Sequence, residues 1–98
     1  MQLGRVVGTV WATQKDPKIE SMKLLVVETL DHRNRPTGAY AVAADAVGAG
    51  VEEVVLIATG SSARQTRATE GKPIDAVVMA IVDSWDVAGE VVFEKSAV

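Results

Sequence analysis

Short runs of valine, alanine and leucine, separated by turns that contain Gly, Pro, Asp or Asn, dominate this sequence. The five main runs are residues 3–13, 22–30, 39–45, 54–59 and 76–82. Valine favours strands because its branched Cβ packs well on a pleated surface. Runs of this length and spacing predict an all-β domain, either a small barrel or a sandwich.

Two further segments extend the five-strand pattern. Gly60 ends the fourth run, and Ser61 is placed to cap a short α-helix that is expected to continue to Thr69. The polar residues 70–73 then break the chain before the fifth run. In the tail, residues 90–94 are a candidate for a short edge strand.

Glycines mark the places where the backbone is expected to bend or to approach a neighbour closely. Gly4 and Gly8 interrupt the first run and predict a bend, a bulge or a close backbone approach. Residues 31–38 combine Asp, Asn, Pro and Gly, so the second and third strands are predicted to form a hairpin. Gly48 and Gly50 are predicted to shape the turn that follows the third strand.

Chain length and cysteine content limit how such a domain is stabilised. The 98 residues suffice for one domain with a small core, which we assign to residues 1–98. The sequence has no cysteine and one histidine, which excludes disulfides, zinc–thiolate sites and multi-histidine metal sites. Partner chains are then the remaining source of stability, so we predict an assembly that uses no metal or cofactor.

Charge and aromatic content argue against nucleic-acid and membrane partners. The net charge is −3 and aromatic residues make up 4% of the chain, so neither a basic surface nor a stacking platform is evident. No apolar run approaches the roughly 20 residues of a membrane span. The first residues lack the pattern of a secretion signal, and a soluble, intracellular protein is expected.

The candidates for nucleophilic catalysis are few. His32 lies in the most turn-like stretch, where a solvated turn residue is the expected interpretation. Ser61 and Ser62 do not form the G-x-S-x-G elbow, and no second histidine is present to activate them. A serine hydrolase is therefore not predicted.

Aspartates stand at the ends of several apolar runs and are the remaining candidates for acid–base chemistry. They are Asp45, Asp75, Asp83 and Asp86. Aspartate commonly terminates strand pairing or caps a turn at such positions, so a structural role is the preferred interpretation.

Two loops contain the glycines of an anion site. Gly48 and Gly50 form a G-x-G, but Glu53 stands where a third glycine is needed. In G-S-S-A-R, at residues 60–64, backbone N–H groups, two hydroxyls and Arg64 suit a carboxylate. An ordinary helix cap is the simpler interpretation. The alternative is that the segment binds a carboxylate that belongs to a neighbouring subunit.

Four segments, taken together, resemble a known family. They are G-R-V-V-G-T-V-W-A-T-Q-K-D, K-L-L-V-V, V-A-A-D-A-V-G-A-G-V-E-E-V-V-L-I-A-T-G-S-S-A-R and D-A-V-V-M-A-I-V-D, in that order. In this combination they resemble the EutN/CcmL family of bacterial microcompartment vertex proteins. The resemblance covers residues 1–83, and the tail at residues 83–98 is less distinctive. One departure is Glu52, which stands where relatives commonly carry glycine.

The resemblance implies a fold and a structural role. The fold is a five-stranded barrel related to the OB-fold, with one short α-helix. The role is to form a homopentamer that caps the vertices of a polyhedral, carboxysome-like shell in the bacterial cytoplasm, beside hexameric shell proteins. The family performs no reaction and uses no cofactor.

A five-fold ring also implies a site. Such a ring closes through a heterologous interface and crowds backbone near its axis, where small residues fit. The residues predicted to lie near the axis and the subunit contacts are Gly60, Ser61, Ser62, Ala63 and Arg64. Arg64 is expected to pair across the interface.

Two functions of other classes are alternatives. An OB-like module that binds single-stranded nucleic acid or a small anionic ligand would rely on Arg33 and Arg35 and would bind in a salt-dependent manner. An enzyme would hold its ligand in a cleft near Asp75 and Asp83.

Overall fold

The computed structural model describes residues 1–95 and contains a closed five-stranded barrel. Its strands are β1 (Gln2–Val10), β2 (Leu24–Leu30), β3 (Pro36–Asp45), β4 (Val54–Thr59) and β5 (Ala76–Ile81). They are hydrogen-bonded in the order β1-β2-β3-β5-β4, and all pairs except β3–β5 are antiparallel. The predicted all-β, five-stranded, OB-like barrel is confirmed.

Two strand boundaries differ from the predicted ones by three residues, and the others differ by two residues or fewer. β1 ends at Val10 rather than at residue 13, and the indole of Trp11 is 89% exposed beyond it. β3 begins at Pro36 rather than at residue 39 because the preceding turn closes early. In that turn the Asp31 carboxylate accepts the Arg35 N–H at 3.0 Å, and the Asp31 N–H donates to the Arg35 carbonyl at 2.9 Å. The predicted β2–β3 hairpin is therefore present with a tighter turn.

Gly4 and Gly8 occupy positions of the kinds that the sequence predicts, a close backbone approach and a bulge. The β1–β2 register shifts between Val6 and Gly8, which is a β-bulge. At Gly4, an added Cβ would collide with the Val27 side chain and would lie 3.1 Å from the Glu28 carbonyl oxygen. Gly4 thus permits the close approach of β1 and β2.

The helix prediction is wrong in type and in length. Instead of an α-helix over residues 61–69, a five-residue 3₁₀ helix spans Gly60–Arg64. Thr59 precedes this helix and makes no side-chain capping bond, so Ser61 lies inside the helix rather than at its cap. A second 3₁₀ helix, Pro17–Ile19, lies in the β1–β2 loop.

Side-chain hydrogen bonds explain why the helix stops after five residues. The hydroxyl oxygens of Thr66 and Thr69 are 2.7 Å apart, and the Thr69 hydroxyl also donates to the Ala63 carbonyl oxygen. These threonine bonds compete with the i→i−4 backbone bonds of an α-helix. The chain therefore turns at this point and proceeds to β5.

The tail forms a hairpin beside the barrel. Its strands β6 (Ser84–Val87) and β7 (Glu90–Glu94) pair with each other in an antiparallel manner. The ring centroids of Trp85 and Phe93 lie 5.3 Å apart across this pair. β7 confirms the predicted edge strand, whereas the sequence analysis did not predict β6.

Small aliphatic side chains fill the barrel in two groups. The larger group consists of Val6, Leu25, Val27, Ala43, Ala49, Val55, Ile57, Ala76 and Val78. The smaller group consists of Ala44, Ala58, Ala63, Ile74 and Val77. Neither group contains an aromatic residue, so the strands approach one another closely around a narrow core.

Candidate functional site

The segment Gly60–Arg64, called the GSSAR segment below, connects the end of β4 to the chain that leads into β5. The Gly60 N–H donates to the Asp75 carbonyl oxygen at 2.8 Å, which fixes the start of the segment beside the residue that precedes β5. Gly60 has a φ of +67°, in the left-handed region that glycine adopts without strain. The local geometry of the segment therefore depends on a glycine at its first position.

The structure divides the GSSAR segment into an exposed part and a buried part. Gly60, Ser61, Ser62 and Arg64 are exposed on the subunit, whereas Ala63 is fully buried in its own core. Ala63 therefore anchors the segment to the barrel core. The surface available to a partner consists of the glycine, the two serines and the arginine.

Arg64 is a cation that has no ion pair within 4 Å among residues 1–95. Its side chain belongs to the last turn of the 3₁₀ helix and is exposed. An exposed guanidinium with its donors free can form a bidentate pair with a carboxylate from another chain. Pairing across an interface remains a prediction.

A buried carboxylate organises the turn after β3. Asp45, whose side chain is 3% exposed, accepts backbone N–H groups from Val47 and Gly48 at 3.0 Å each and from Ala49 at 3.2 Å. Lys23 donates to the Ala49 carbonyl oxygen at 3.2 Å. Gly48 has a φ of +77° in this turn, and the Ala49 side chain belongs to the barrel core.

A second carboxylate follows in the same loop. The Gly50 N–H donates to Glu53 at 2.7 Å, and the Lys95 ammonium donates to the other oxygen of that carboxylate at 3.0 Å. The amide hydrogen bond, followed by the lysine, holds the pKa of Glu53 below its ordinary value. Glu52 in this loop has a φ of +79°. The loop thus connects the barrel to the residue that follows β7.

The arginines expected to carry nucleic-acid binding lie in the β2–β3 turn. Arg35 is engaged by the Asp31 carboxylate, with Nε and Oδ2 3.1 Å apart, while Arg33 is exposed beside it. The backbone N–H groups of the two arginines and the Arg35 guanidinium hold the pKa of Asp31 below its ordinary value. The positive charge of this turn is thus partly neutralised by its own carboxylate.

The residues that would serve an enzyme do not converge on a cleft. His32 is an exposed turn residue, as expected, and Asp75 and Asp83 are exposed. The cavity of about 570 Å³ beside Trp11 and Met22 is lined by residues of β1, β2 and their connecting loop, and none of the strand-end aspartates lines it. Within residues 1–95, no three His, Asp or Glu side chains are placed to hold a metal ion.

The same part of the chain contains no helix of the length and apolar character that a membrane crossing requires.

Comparison with known proteins decides the family. The family model described as ethanolamine utilisation protein EutN/carboxysome matches residues 1–83. The chain belongs to the EutN/CcmL family. The match covers the whole barrel and ends just before the β6–β7 hairpin.

Individual relatives match over nearly the full chain. The carboxysome shell vertex protein CcmL of Gloeobacter violaceus is 44% identical over 95 residues, which span 97% of this chain and 95% of the relative. The bacterial microcompartment shell vertex protein EutN of Escherichia coli is 42% identical over 95 residues, which span 97% of this chain and 100% of the relative.

Solved structures show the same fold. CcmL of Gloeobacter violaceus matches with a TM-score of 0.93 and 44% identity, covering 97% of this chain and 98% of that one. The pentameric microcompartment shell protein GrpN of Rhodospirillum rubrum matches with a TM-score of 0.83 and 43% identity, covering 90% and 100% of the two chains. Membership of the EutN/CcmL family confirms a structural protein of the bacterial microcompartment shell, rather than an enzyme.

Two contacts of this EutN/CcmL chain were missed by the sequence analysis. The Trp85 indole donates to the His32 carbonyl oxygen, and Lys95 pairs with Glu53, and both contacts attach the tail hairpin to the barrel. The local signal for the hairpin was Gly89, a turn-forming residue between the segments S-W-D-V and E-V-V-F-E. No local pattern indicates where the hairpin docks.

Proposed function

We propose that this chain assembles as a homopentamer that caps the vertices of a polyhedral bacterial microcompartment shell. The observation that carries the proposal is the match to the pentameric shell protein GrpN at 43% identity over 90% of this chain. The curated relatives described as shell vertex proteins support the same role. A small barrel without cysteine also gains stability from subunit contacts, because only the folded subunit joins a ring.

The GSSAR segment supplies contacts near the five-fold axis. A cyclic ring joins one face of each subunit to a different face of the next, and backbone from five chains meets around the axis. The exposed residues Gly60, Ser61 and Ser62 have the small side chains that such crowding requires. Arg64, beside them, pairs with a carboxylate of the neighbouring subunit.

Hexameric shell proteins are the neighbours of the ring in the shell, and nucleic acid is not a partner. A polyhedral shell built from flat hexameric tiles needs a five-fold unit wherever its facets meet at a vertex. Co-expression with hexameric shell proteins is expected to give closed particles, which electron microscopy detects. Particles that remain open or tubular when this chain is deleted would agree with the vertex role.

Native mass spectrometry over a range of ionic strengths tests the assembly directly. The wild-type chain is expected to give a dominant five-chain species, and Arg64→Glu is expected to dissociate it. Arg67→Glu is the matched control, because Arg67 is also exposed, lies three residues away and has no ion pair within 4 Å among residues 1–95. A monomer at every concentration would contradict the pentamer, and a six-chain species would contradict the vertex role.

A further inference from the structure

A basic cleft lies between the β1–β2 loop, the end of β3 and the loop that leads into β5. Its volume is about 420 Å³. The side chains that give it its chemistry are three cations, one carboxylate, one hydroxyl and one thioether: Lys23, Arg67, Lys72, Asp45, Ser21 and Met22. The chain as a whole has a net charge of −3, so this cleft concentrates positive charge on an acidic protein.

The carboxylate in the basic cleft is already engaged by its own surroundings. Besides the three backbone N–H groups that one oxygen of Asp45 accepts, the other oxygen lies 3.9 Å from the Lys23 ammonium. Lys23 also donates to the Ala49 carbonyl oxygen at 3.2 Å, which keeps its ammonium at the cleft wall. Asp45 thus positions Lys23 and leaves the other two cations unneutralised.

Arg67 and Lys72 have no carboxylate of their own. Neither side chain forms an ion pair within 4 Å among residues 1–95. A cleft lined by charges of one sign focuses the electric field and raises the local concentration of counter-ions. The cleft is therefore suited to bind an anion between these two cations.

The backbone of the loop holds Arg67 and Lys72 in place. The Lys72 N–H donates to the Thr69 carbonyl oxygen at 3.0 Å, and the Thr69 N–H donates to the Thr66 carbonyl oxygen at 3.2 Å. Thr69 is fully buried, and its hydroxyl donates to the Ala63 carbonyl oxygen. Because the loop is anchored in this way, binding an anion requires little ordering of the backbone that carries the two cations.

We infer that the basic cleft binds a phosphate group, held by Arg67, Lys72 and Lys23. The planar guanidinium forms two parallel hydrogen bonds with phosphate oxygens, and the lysines supply point charges. Two unpaired cations beside a third favour a dianion over a monovalent anion. The Ser21 hydroxyl in the same cleft is a further donor. This site is independent of the proposed homopentamer and gives the chain a ligand in addition to its structural role.

The phosphate group has two sources, inorganic phosphate and a small phosphomonoester. The basic cleft shares Ser21, Met22 and Lys23 with the cavity of about 570 Å³ beside Trp11, so the two spaces adjoin. The organic part of a phosphomonoester would enter that second cavity, whereas inorganic phosphate would not use it. Inorganic phosphate and phenyl phosphate are therefore the two probes.

Calorimetric titration of the wild-type assembly with inorganic phosphate, at constant ionic strength, tests the site. Arg67→Ala and Lys72→Ala are each expected to raise the Kd about tenfold, because each removes a charge-assisted hydrogen bond. Arg33→Ala and Lys18→Ala are the matched controls, because both side chains are exposed, carry the same charge and lie outside the cleft. The controls should keep the wild-type Kd, and circular dichroism establishes that all four variants are folded.

Three results would overturn the phosphate site. They are the absence of saturable phosphate binding below about 10 mM, equal weakening in the cleft variants and the controls, and equal competition by chloride. Arg67→Lys is a milder variant that keeps the charge but not the planar fork, and it should recover part of the binding lost in Arg67→Ala.

Phenyl phosphate identifies the source of the phosphate group once binding is established. Tighter binding of phenyl phosphate than of inorganic phosphate, with the difference lost in Trp11→Ala, would support a phosphomonoester site. Equal Kd values for the two probes would support a site for free phosphate. Binding of phenyl phosphate that Arg67→Ala and Lys72→Ala leave unchanged would overturn the assignment, because the ring alone would then account for it.

Discussion

Trp85 and His32, 53 residues apart in the sequence, are joined by a hydrogen bond from the indole Nε1 to the backbone carbonyl oxygen at 2.9 Å. The bond ties the tail hairpin to the β2–β3 turn. A second attachment is the ion pair of Lys95 with Glu53 at 3.0 Å. An isolated two-stranded hairpin is marginally stable in water, so its position depends on such contacts with the barrel.

Trp85→Phe is expected to weaken the attachment of the tail hairpin. The substitution keeps a ring against Phe93 but removes the donor to His32, and the expected loss is about 1 kcal/mol in the free energy of unfolding. Chemical denaturation measures this loss, and limited proteolysis of the tail measures the loosening. Trp11→Phe is the control and should change neither, since the Trp11 side chain is 89% exposed. Equal stability of the two variants would show that the hydrogen bond contributes nothing.

Gly4→Ala is expected to destabilise the barrel, whereas Gly8→Ala is not. A Cβ at Gly4 collides with the Val27 side chain and approaches the Glu28 carbonyl oxygen to 3.1 Å, so β1 and β2 must separate. The expected cost is about 1–3 kcal/mol, as for other overpacked sites. A Cβ at Gly8 meets Val26 atoms at 3.8 Å and 3.9 Å, which is ordinary contact. Thermal unfolding of both variants checks this contrast, and similar melting temperatures would refute it.

Glu52→Gly is expected to stabilise the chain. Glu52 has a φ of +79°, where a side chain is strained and glycine is not, and relief of this strain outweighs the greater freedom of glycine in the unfolded chain. The expected gain is about 0.5–1 kcal/mol in the free energy of unfolding. Val51→Gly is the control, because Val51 has no positive φ and should lose stability. A decrease in both variants would mean that Glu52 carries no strain.

Asp45→Ala is expected to cost about 1–3 kcal/mol in the free energy of unfolding. The substitution removes one buried oxygen that accepts three backbone N–H groups, from Val47, Gly48 and Ala49. Asp45→Asn is the matched variant, because its amide oxygen can still accept those bonds, and it should recover part of the loss. Denaturant unfolding of the two variants measures the difference. Identical losses would show that the turn depends on the negative charge rather than on the acceptor.

Stability is expected to fall with acidification, in part through Glu53. Hydrogen bonding from Gly50 and the ion pair with Lys95 lower the pKa of the folded carboxyl from its ordinary value of 4.5. A lowered folded pKa contributes stability that is present above pH 4.5 and is lost as the pH falls through the folded pKa. Glu53→Gln should therefore flatten the dependence of the unfolding midpoint on pH.

Measurements from about pH 6 to about pH 3 cover the transition. Part of the pH dependence should remain in Glu53→Gln, because the pKa of Asp31 is lowered in the same direction, first by the Arg35 N–H. Glu52→Gln is the control, since the Glu52 side chain accepts no hydrogen bond from residues 1–95. An unchanged pH profile in Glu53→Gln would exclude this carboxyl as a source of the acid sensitivity.

The sequence by itself determined the barrel strands and the turns between them. Valine-rich runs and turn residues act locally, so β2, β3 and β4 were predicted within a few residues, and Asp45 was placed correctly as a residue that ends a strand and organises a turn. The sequence also located the GSSAR segment at the end of β4. It did not predict the 3₁₀ type of the helix, because the threonine bonds that compete with the helical backbone bonds form between residues beyond the segment.

Only the tertiary structure decided which of these local elements face one another. The burial of Ala63, the free edge of β3 and the docking of Trp85 on His32 all depend on contacts between residues far apart in the sequence. A strand edge is open or closed according to which strand arrives beside it, and the sequence of β3 is the same in either case. The barrel closes through only two β3–β5 residue pairs, so most of β3 has a strand neighbour on one side only.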